Sequence, residues 1–324
     1  DCVHPTGRAS AKLQNKRIVK PKNPLIRSMR RSLKAHAGAI CAKSLARPAS
    51  IAPNIEQGTR GMSDPNKISE AAGMLQAAYD SGNPCPPVRT MLDEGDIDAA
   101  YAVQEINSNR RLKSGARLVG RKIGLTSKLV QKQLGVDRPD FGLLFDDMAV
   151  PDGEEVPASA VLQPRVEGEI TYILEKDLAM ERPTTTDVVN AVAYASASIE
   201  IVGSRIEGWD INIQDTIADN ASAALMVIGN DKVFLDEFDG RMCGMVMENR
   251  GEPVSVGAGV ACLGHPINAV RWLAEEMVRR GRPLSAGDMV MSGALGPMVK
   301  VEPGEVYEVR ISGLGSARAA FAPE

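Results

Sequence analysis

The sequence predicts an α+β fold, a small helical lobe followed by a body in which sheet dominates, and three observations predict it. Apolar residues recur at helical spacing near the start of the body. They alternate mainly with period 2 from Val161 onward. No G-x-G-x-x-G follows a strand and no G-x-x-x-x-G-K-[ST] or G-x-S-x-G occurs, so nucleotide-binding and α/β-hydrolase architectures lack support.

The first element opens at Ser63-Asp64-Pro65, a cap followed by proline in the first turn. Ile68, Ala72, Leu75 and Tyr79 keep helical spacing behind it. Gly82 stops the helix before the loop Asn83-Pro-Cys-Pro-Pro. A second helix runs from about Ile97 to Arg111, with Ala100, Val103 and Ile106 inward, and residues 62–115 make up the helical lobe. The β-rich catalytic domain, 116–324, begins with the strand Leu118-Val-Gly-Arg-Lys-Ile-Gly-Leu and a short helix from Ser127 to Leu134. Val150-Pro-Asp-Gly and Glu154-Glu-Val-Pro mark turns. The later strands are interrupted by a helix near Thr186–Ala195 and another at Ile267–Arg280, where Ala269, Leu273 and Met277 point inward and Gly281 is the stop. Met289-Val-Met and Val306-Tyr-Glu-Val-Arg-Ile-Ser are the last strands.

Composition narrows the class. The apolar content of 44% suits a globular protein, and with 4% aromatic residues the core must be mostly aliphatic. No apolar run is long enough to cross a bilayer as a helix. The five cysteines (Cys2, Cys41, Cys85, Cys243, Cys262) contain no C-x-x-C, which argues against a disulfide framework or zinc ribbon and suits a reducing, cytoplasmic setting. The net charge of −3 hides a split: residues 1–61 carry 13 Lys/Arg against Asp1 and Glu56, and the rest carry 25 against 39 acidic residues. Residues 1–61 have too little apolar surface to fold. A targeting peptide and a basic nucleic-acid arm are both readings of such a segment. The one favoured is an extension outside the folded unit, with Met62-Ser-Asp-Pro-Asn as a natural start. The acidic body gives no support to nucleic-acid binding.

The chemistry concentrates on three carboxylates. In Arg165-Val-Glu-Gly-Glu-Ile-Thr-Tyr-Ile-Leu, the residues Val166, Ile170, Tyr172 and Leu174 fall on one strand face, and Glu167 and Glu169 share the other with Thr171 and Ile173. Two charges side by side on an apolar strand repel and lose hydration. Taken alone, E-x-E reads best as the wet face of an edge strand. A third glutamate between isoleucines, Glu200, shifts the reading to a hard divalent cation, Mg²⁺ or Mn²⁺. Lys122, between Arg121 and Ile123 and flanked by glycines, reads equally as an exposed strand lysine and as a pocket-facing base whose pKa is lowered by burial or by a metal. His265, the body's one histidine, precedes a proline at a helix start and reads as a structural hydrogen-bonder; a three-histidine zinc site is excluded there. Asp215-Thr-Ile-Ala-Asp-Asn220 reads as a polar, capped turn. Ser292-Gly-Ala-Leu-Gly-Pro297 is a strand end whose backbone N–H groups either cradle a carboxylate or simply turn.

Several segments in order carry a resemblance: Ala102-Val-Gln-Glu-Ile, Gly120-Arg-Lys-Ile-Gly-Leu-Thr, Gln133-Leu-Gly-Val-Asp-Arg-Pro-Asp-Phe-Gly, Gln163-Pro-Arg-Val-Glu-Gly-Glu-Ile, Glu200-Ile-Val-Gly-Ser-Arg-Ile, Asp215-Thr-Ile-Ala-Asp-Asn-Ala-Ser, Cys262-Leu-Gly-His-Pro-Ile-Asn and Ser292-Gly-Ala-Leu-Gly-Pro-Met. Over Met62 to about Phe321 the chain resembles the 2-oxopent-4-enoate (2-hydroxypenta-2,4-dienoate) hydratases of the fumarylacetoacetate hydrolase superfamily. The resemblance implies a mixed, mainly antiparallel β-sandwich or roll with a helical N-terminal lobe. It implies metal ligands at Glu167, Glu169 and Glu200, and Lys122 and the nearby acid Asp140 as the residues that move protons. Gly168 would face away from the metal. The implied reaction is hydration of 2-hydroxypenta-2,4-dienoate to 4-hydroxy-2-oxopentanoate in meta-cleavage degradation of aromatic compounds. Arg165, or N–H groups at Ser292 and Gly293, would hold the substrate carboxylate. A homo-oligomer, with association to a neighbouring pathway enzyme, belongs to the same expectation. Two alternatives stand beside it: a 2-oxo-3-hexenedioate decarboxylase on the same scaffold, and a catalytically silent partner subunit. The intact Glu167, Glu169, Glu200 and Lys122 argue against the silent subunit.

Overall fold

The computed structural model describes residues 63–133 and 136–323, which lie in one compact unit, Thr59–Glu324. The expectations for residues 1–61, for Met62 and for Leu134 and Gly135 lie outside the described residues. Helix α1 is Pro65–Ser81; Asp64 caps it by accepting from Asn66 N, and Gly82 closes it in the left-handed region. Helix α2, Ile97–Lys113, is capped by Asp96 and ends in Arg110, Arg111 and Lys113, cations that suit the negative end of its dipole. Ser63 ties the two helix starts together, its N and Oγ both donating to Asp96 Oδ2. Ala71, Ala72, Leu75 and Ala78 form the buried stripe of α1, and Tyr79, expected inward, is 57% exposed because it sits in the last turn, beyond the packed contact.

Among the described residues thirteen strands follow, with short helices between them. Strand β1 (Leu118–Gly124) leads through α3 (Lys128–Gln133) to β2 (Asp140–Phe145). The turn-marked stretch holds two short strands, β3 (Ala149–Val150) and β4 (Glu155–Val156). Strand β5 is Arg165–Leu174, α4 is Thr185–Ala191 and β6 is Val192–Val202. The expected helix near Thr186–Ala195 therefore stops four residues early: a Thr184–Asp187 capping box starts it, but Val192 to Ala195 are drawn into pairing with β5, Ala195 opposite Tyr172. Helix α5 (Ile213–Ala218) precedes β7 (Ala223–Ile228). It occupies the segment read as a turn, because Asn212 and Asp215 form a capping box and the polar Gln214 and Asp215 are buried with partners. Strands β8 (Gly244–Asn249) and β9 (Glu252–Ala258), α6 (Pro266–Arg279), and β10 (Met289–Met291), β11 (Val299–Lys300), β12 (Val306–Ile311) and β13 (Gly315–Phe321) complete the chain. His265 caps α6, its Nδ1 accepting from Ile267 N at 3.1 Å.

An eight-stranded sheet runs β2-β1-β10-β5-β6-β7-β3, with β11 also on β5, and a five-stranded sheet runs β4-β13-β12-β8-β9. Pairing is antiparallel except at β1/β10, β3/β7 and β4/β13. The sheets pack closely under β5: a Cβ at Gly168 would lie 2.7 Å from Val309 Cγ2 and 3.2 Å from Met245 Sδ. Gly168 thus faces the second sheet, and the glutamates on either side of it face the other way. This is the α+β sandwich with a helical N-terminal lobe that the sequence predicts. No helix among the described residues is long and apolar enough to cross a membrane.

Candidate active site

The β5/β6 register sets Glu167 directly opposite Glu200 and Glu169 opposite Ser198. Like charges directly opposite on one sheet face destabilise it. One carboxylate oxygen from each of Glu167, Glu169 and Glu200 lies within 4.8 Å of the others. Glu169 and Glu200 are fully buried and Glu167 is half-buried. Gly293 N donates to Glu169 Oε2 at 2.9 Å, while Glu169 Oε1 and both oxygens of Glu200 have no hydrogen-bond partner. Desolvation is the first cause that pushes all three carboxyls up. Glu200 adds repulsion at Glu167 and Glu169. A buried carboxylate with orphaned oxygens costs free energy that a cation removes, and an all-oxygen donor set fits a hard divalent ion.

Lys122 and Asp140 reach this cluster from the adjoining strands. Lys122 pairs with Gly142 and Gly124 pairs with Asp140, so the two side chains share a face. A Cβ at Gly124 would collide with Asp140 Oδ1 and lie 3.5 Å from Lys122 Nζ, so this glycine makes room for both. Lys122 Nζ donates to Ala221 O at 2.8 Å and stands 3.1 Å from Glu200 Oε1, an ion pair that falls outside hydrogen-bond geometry. Neither oxygen of the buried Asp140 has a partner. Desolvation, against the pull of Lys122, lifts its carboxyl to about 6. The reading of Lys122 as an exposed lysine is overturned by its 3% exposure. The lowered pKa expected of it is reversed too. Desolvation pulls Lys122 down, but Glu200, Asp140, Glu167 and Glu169 together hold it above the usual lysine range.

The rest of the surroundings were less visible in the sequence. Asn220, Ala221 and Ser222 form a left-handed turn without glycine, at φ 55°, 50° and 57°. Such residues cost about 1–2 kcal/mol each and persist only where the surroundings impose them. Arg205 staples the base of the turn, donating to the Asp219 carboxylate and to Asp219 O and Ala223 O. Nearby, Arg165 stacks on Trp209, with Cζ 4.3 Å from the ring centroid. Trp209 and Gln163 are themselves left-handed, at φ 57° and 51°, and lock together: Trp209 Nε1 donates to Gln163 O, and Gly208 N donates to Gln163 Oε1. Arg165 lies on the glutamate face of β5 and is half-exposed, so it remains able to meet a carboxylate. Ser292 and Gly293 do not: Ser292 N donates to Ile170 O and Gly293 N to Glu169, so these groups support the cluster rather than present free donors. A surface cleft of about 910 Å³ lies over Asp93–Asp98 and Val136–Arg138 and includes none of these residues.

Comparison with known proteins agrees with this geometry. Residues 119–322 match the family model described as fumarylacetoacetate (FAA) hydrolase C-terminal. The chain is 57% identical over 255 residues to the TodF product hydratase of Pseudomonas putida, covering 79% of this chain and 95% of that protein. It is 52% identical over 257 residues to the 2-keto-4-pentenoate hydratase of Paraburkholderia xenovorans, covering 79% and 96%. Among solved structures, the 4-oxalocrotonate decarboxylase from Pseudomonas putida G7, complexed with magnesium and adipate, is 34% identical with a TM-score of 0.78, covering 81% of this chain and all of that one. The chain belongs to the fumarylacetoacetate hydrolase family, among its 2-keto-4-pentenoate hydratase relatives.

Proposed function

We propose that this protein is a divalent-metal-dependent hydratase that adds water to 2-hydroxypenta-2,4-dienoate, giving 4-hydroxy-2-oxopentanoate. The observation that carries the reading is the Glu167–Glu169–Glu200 cluster, three converging carboxylates with orphaned oxygens on Glu169 and Glu200, opposed by one lysine, on a chain more than half identical to proteins named hydratases. A divalent cation there, Mg²⁺ or Mn²⁺, would supply Lewis-acid polarisation of the substrate's 2-oxo group and a template for its carboxylate. The magnesium in the 34% identical decarboxylase supports that choice.

The chain's own residues account for the proton movements. The dienol must lose its 2-hydroxyl proton and gain one at C5, giving the 3,4-enone. Water then adds its oxygen to C4 while a proton reaches C3, so the catalytic groups end as they began. Asp140, with its carboxyl near pKa 6, is protonated in part of the population near neutrality and can give or take a proton. Lys122 Nζ shares its face and holds the ammonium form beside the developing enolate. Arg165, oriented by Trp209, is the candidate for the substrate carboxylate. Gly293 N fixes Glu169. The same reading includes a homo-oligomer, supported by exposed Val246, Val254 and Val256 at the β8/β9 sheet edge. It also includes a cytoplasmic setting, supported by the free thiols Cys85, Cys243 and Cys262.

The decarboxylase among the solved structures makes loss of CO₂ from 2-oxo-3-hexenedioate the rival reaction on the same scaffold. Loss of dienoate absorbance on freshly made 2-hydroxypenta-2,4-dienoate, with and without Mg²⁺, tests the proposal. Turnover that depends on the metal is expected. Absence of hydration together with CO₂ release from the dioic acid would assign the decarboxylase instead.

A further inference from the structure

We propose that Asn220 is a positioning residue for Lys122, acting through the left-handed turn Asn220–Ser222 whose Ala221 carbonyl receives the lysine ammonium. The proposal rests on the reading of Lys122 as a proton-transfer group. Lys122 Nζ has two near partners, Ala221 O at 2.8 Å and Glu200 Oε1 at 3.1 Å. Glu200 is a candidate metal ligand, so the carbonyl is the anchor that leaves the carboxylate free. That carbonyl is aimed by a backbone conformation that L-residues avoid. A second observation shows that the turn is seated against β2 at this point. Gly142 is the register partner of Lys122, and a Cβ there would collide with Asn220 O and lie 3.3 Å from Ala221 Cβ. The Asn220 carboxamide fastens the seat: Oδ1 accepts from Leu143 N at 2.8 Å and Nδ2 donates to Leu143 O at 2.9 Å. Arg205 closes the base of the turn, and Asn220 ties its tip to the strand that faces Lys122. Without the carboxamide the base holds, but the tip and its carbonyl are free to shift.

The test uses the full chain with Mg²⁺, the variants Asn220→Ala, Asn220→Asp and Gly142→Ala, and 2-hydroxypenta-2,4-dienoate as substrate. It reads kcat and KM, the thermal midpoint, and the rate of reductive methylation of Lys122 by mass spectrometry, with the other lysines as internal references. Asn220→Ala should lower kcat about 10–100-fold with KM within about threefold, because a misplaced group loses rate rather than binding. Lys122 should be methylated faster. Asn220→Asp keeps the acceptor for Leu143 N and tolerates the left-handed region but loses the donor to Leu143 O, so it should recover part of the lost kcat. Gly142→Ala pushes the turn off β2 through the Asn220 carbonyl while leaving the Asn220 carboxamide in place, and should reproduce the alanine effect. A lower midpoint with kcat and Lys122 methylation unchanged in Asn220→Ala or Gly142→Ala would overturn the proposal. If the wild-type protein hydrates nothing, the proposed function fails, and the methylation rates still decide the positioning: faster in the variants supports it, unchanged overturns it.

Discussion

Two groups of buried charges lie a few residues apart in this fold and are built on opposite principles. Around α5, Arg205 meets Asp219 and Arg89 meets Asp215, and the acceptors are filled: Asp219 takes the Arg205 N and Nε, and Asp215 takes the Arg89 N and Nη1 and the Asn212 N. On the sheet face, Glu167, Glu169, Glu200 and Asp140 surround Lys122, and five of their oxygens have no partner. Burial raises the carboxyl pKa in both places, at Asp219 as at Glu169, so desolvation does not separate them. Completeness does. A paired and bonded cluster holds a backbone in place, whereas an incomplete one stores repulsion that a ligand relieves. The first holds the Asn220–Ser222 turn beside the second, so the satisfied charges serve as scaffold for the unsatisfied ones.

The largest effect should come from the single cation of the incomplete cluster. Lys122→Ala should reduce kcat by roughly 10²–10⁴-fold, the usual loss for a positioned proton-transfer group. Lys122→Arg should fail as well, since the planar guanidinium fork does not fit the place of an ammonium between Ala221 O and Glu200. A kcat within a few-fold of wild type in Lys122→Arg would remove Lys122 from the chemistry and leave Asp140 as the candidate.

In the satisfied cluster the same kind of change should act on stability instead. Arg205→Met leaves Asp219 buried and unpaired, a loss of about 3–5 kcal/mol, which urea unfolding would read. If the variant unfolded at the wild-type midpoint, the Arg205–Asp219 pair would not be the staple described above.

The two clusters also differ in how far they can be read from sequence. Glu167, Glu169 and Glu200 stand out because carboxylates in an alternating apolar strand violate what burial allows, and the period-2 rule puts the E-x-E pair on one face. Asp140 follows from no local pattern, and only the family resemblance points to it. The Lys122 partner is a backbone carbonyl in a left-handed turn, and of its three residues only Asn220 belongs to a type that tolerates that region. Arg205–Asp219 and Arg165–Trp209 are contacts made by tertiary packing, so spacing along the chain carries no trace of them. The misplaced end of the expected helix near Ala195 has the same origin, since pairing with β5 decides the state of Val192–Ala195.

The smallest effect on stability is the most diagnostic of stored repulsion. Glu169→Gln removes one charge and keeps the shape, so metal-dependent turnover should be lost while the metal-free protein holds or gains stability. The pH dependence fixes the sign. A carboxyl whose folded pKa is raised binds its proton more tightly in the folded state, so its contribution is favourable below the unfolded value and is lost as pH rises through the folded value. Glu169 is raised well above the ordinary glutamate range of about 4.5, first by desolvation and then by Glu200 and Glu167. Metal-free wild type should therefore lose stability from this site between pH 5 and pH 8, and Glu169→Gln should lose less. The stability difference between the two in EDTA should widen across that interval. Subtracting one protein from the other cancels the surface aspartates with lowered pKa, such as Asp146 and Asp187, which act in the opposite sense. Saturating Mg²⁺ should stabilise the wild type more than the variant. A difference that stays flat from pH 5 to pH 8 would show that Glu169 carries no stored repulsion, and the cluster would then resemble the filled one around Arg205.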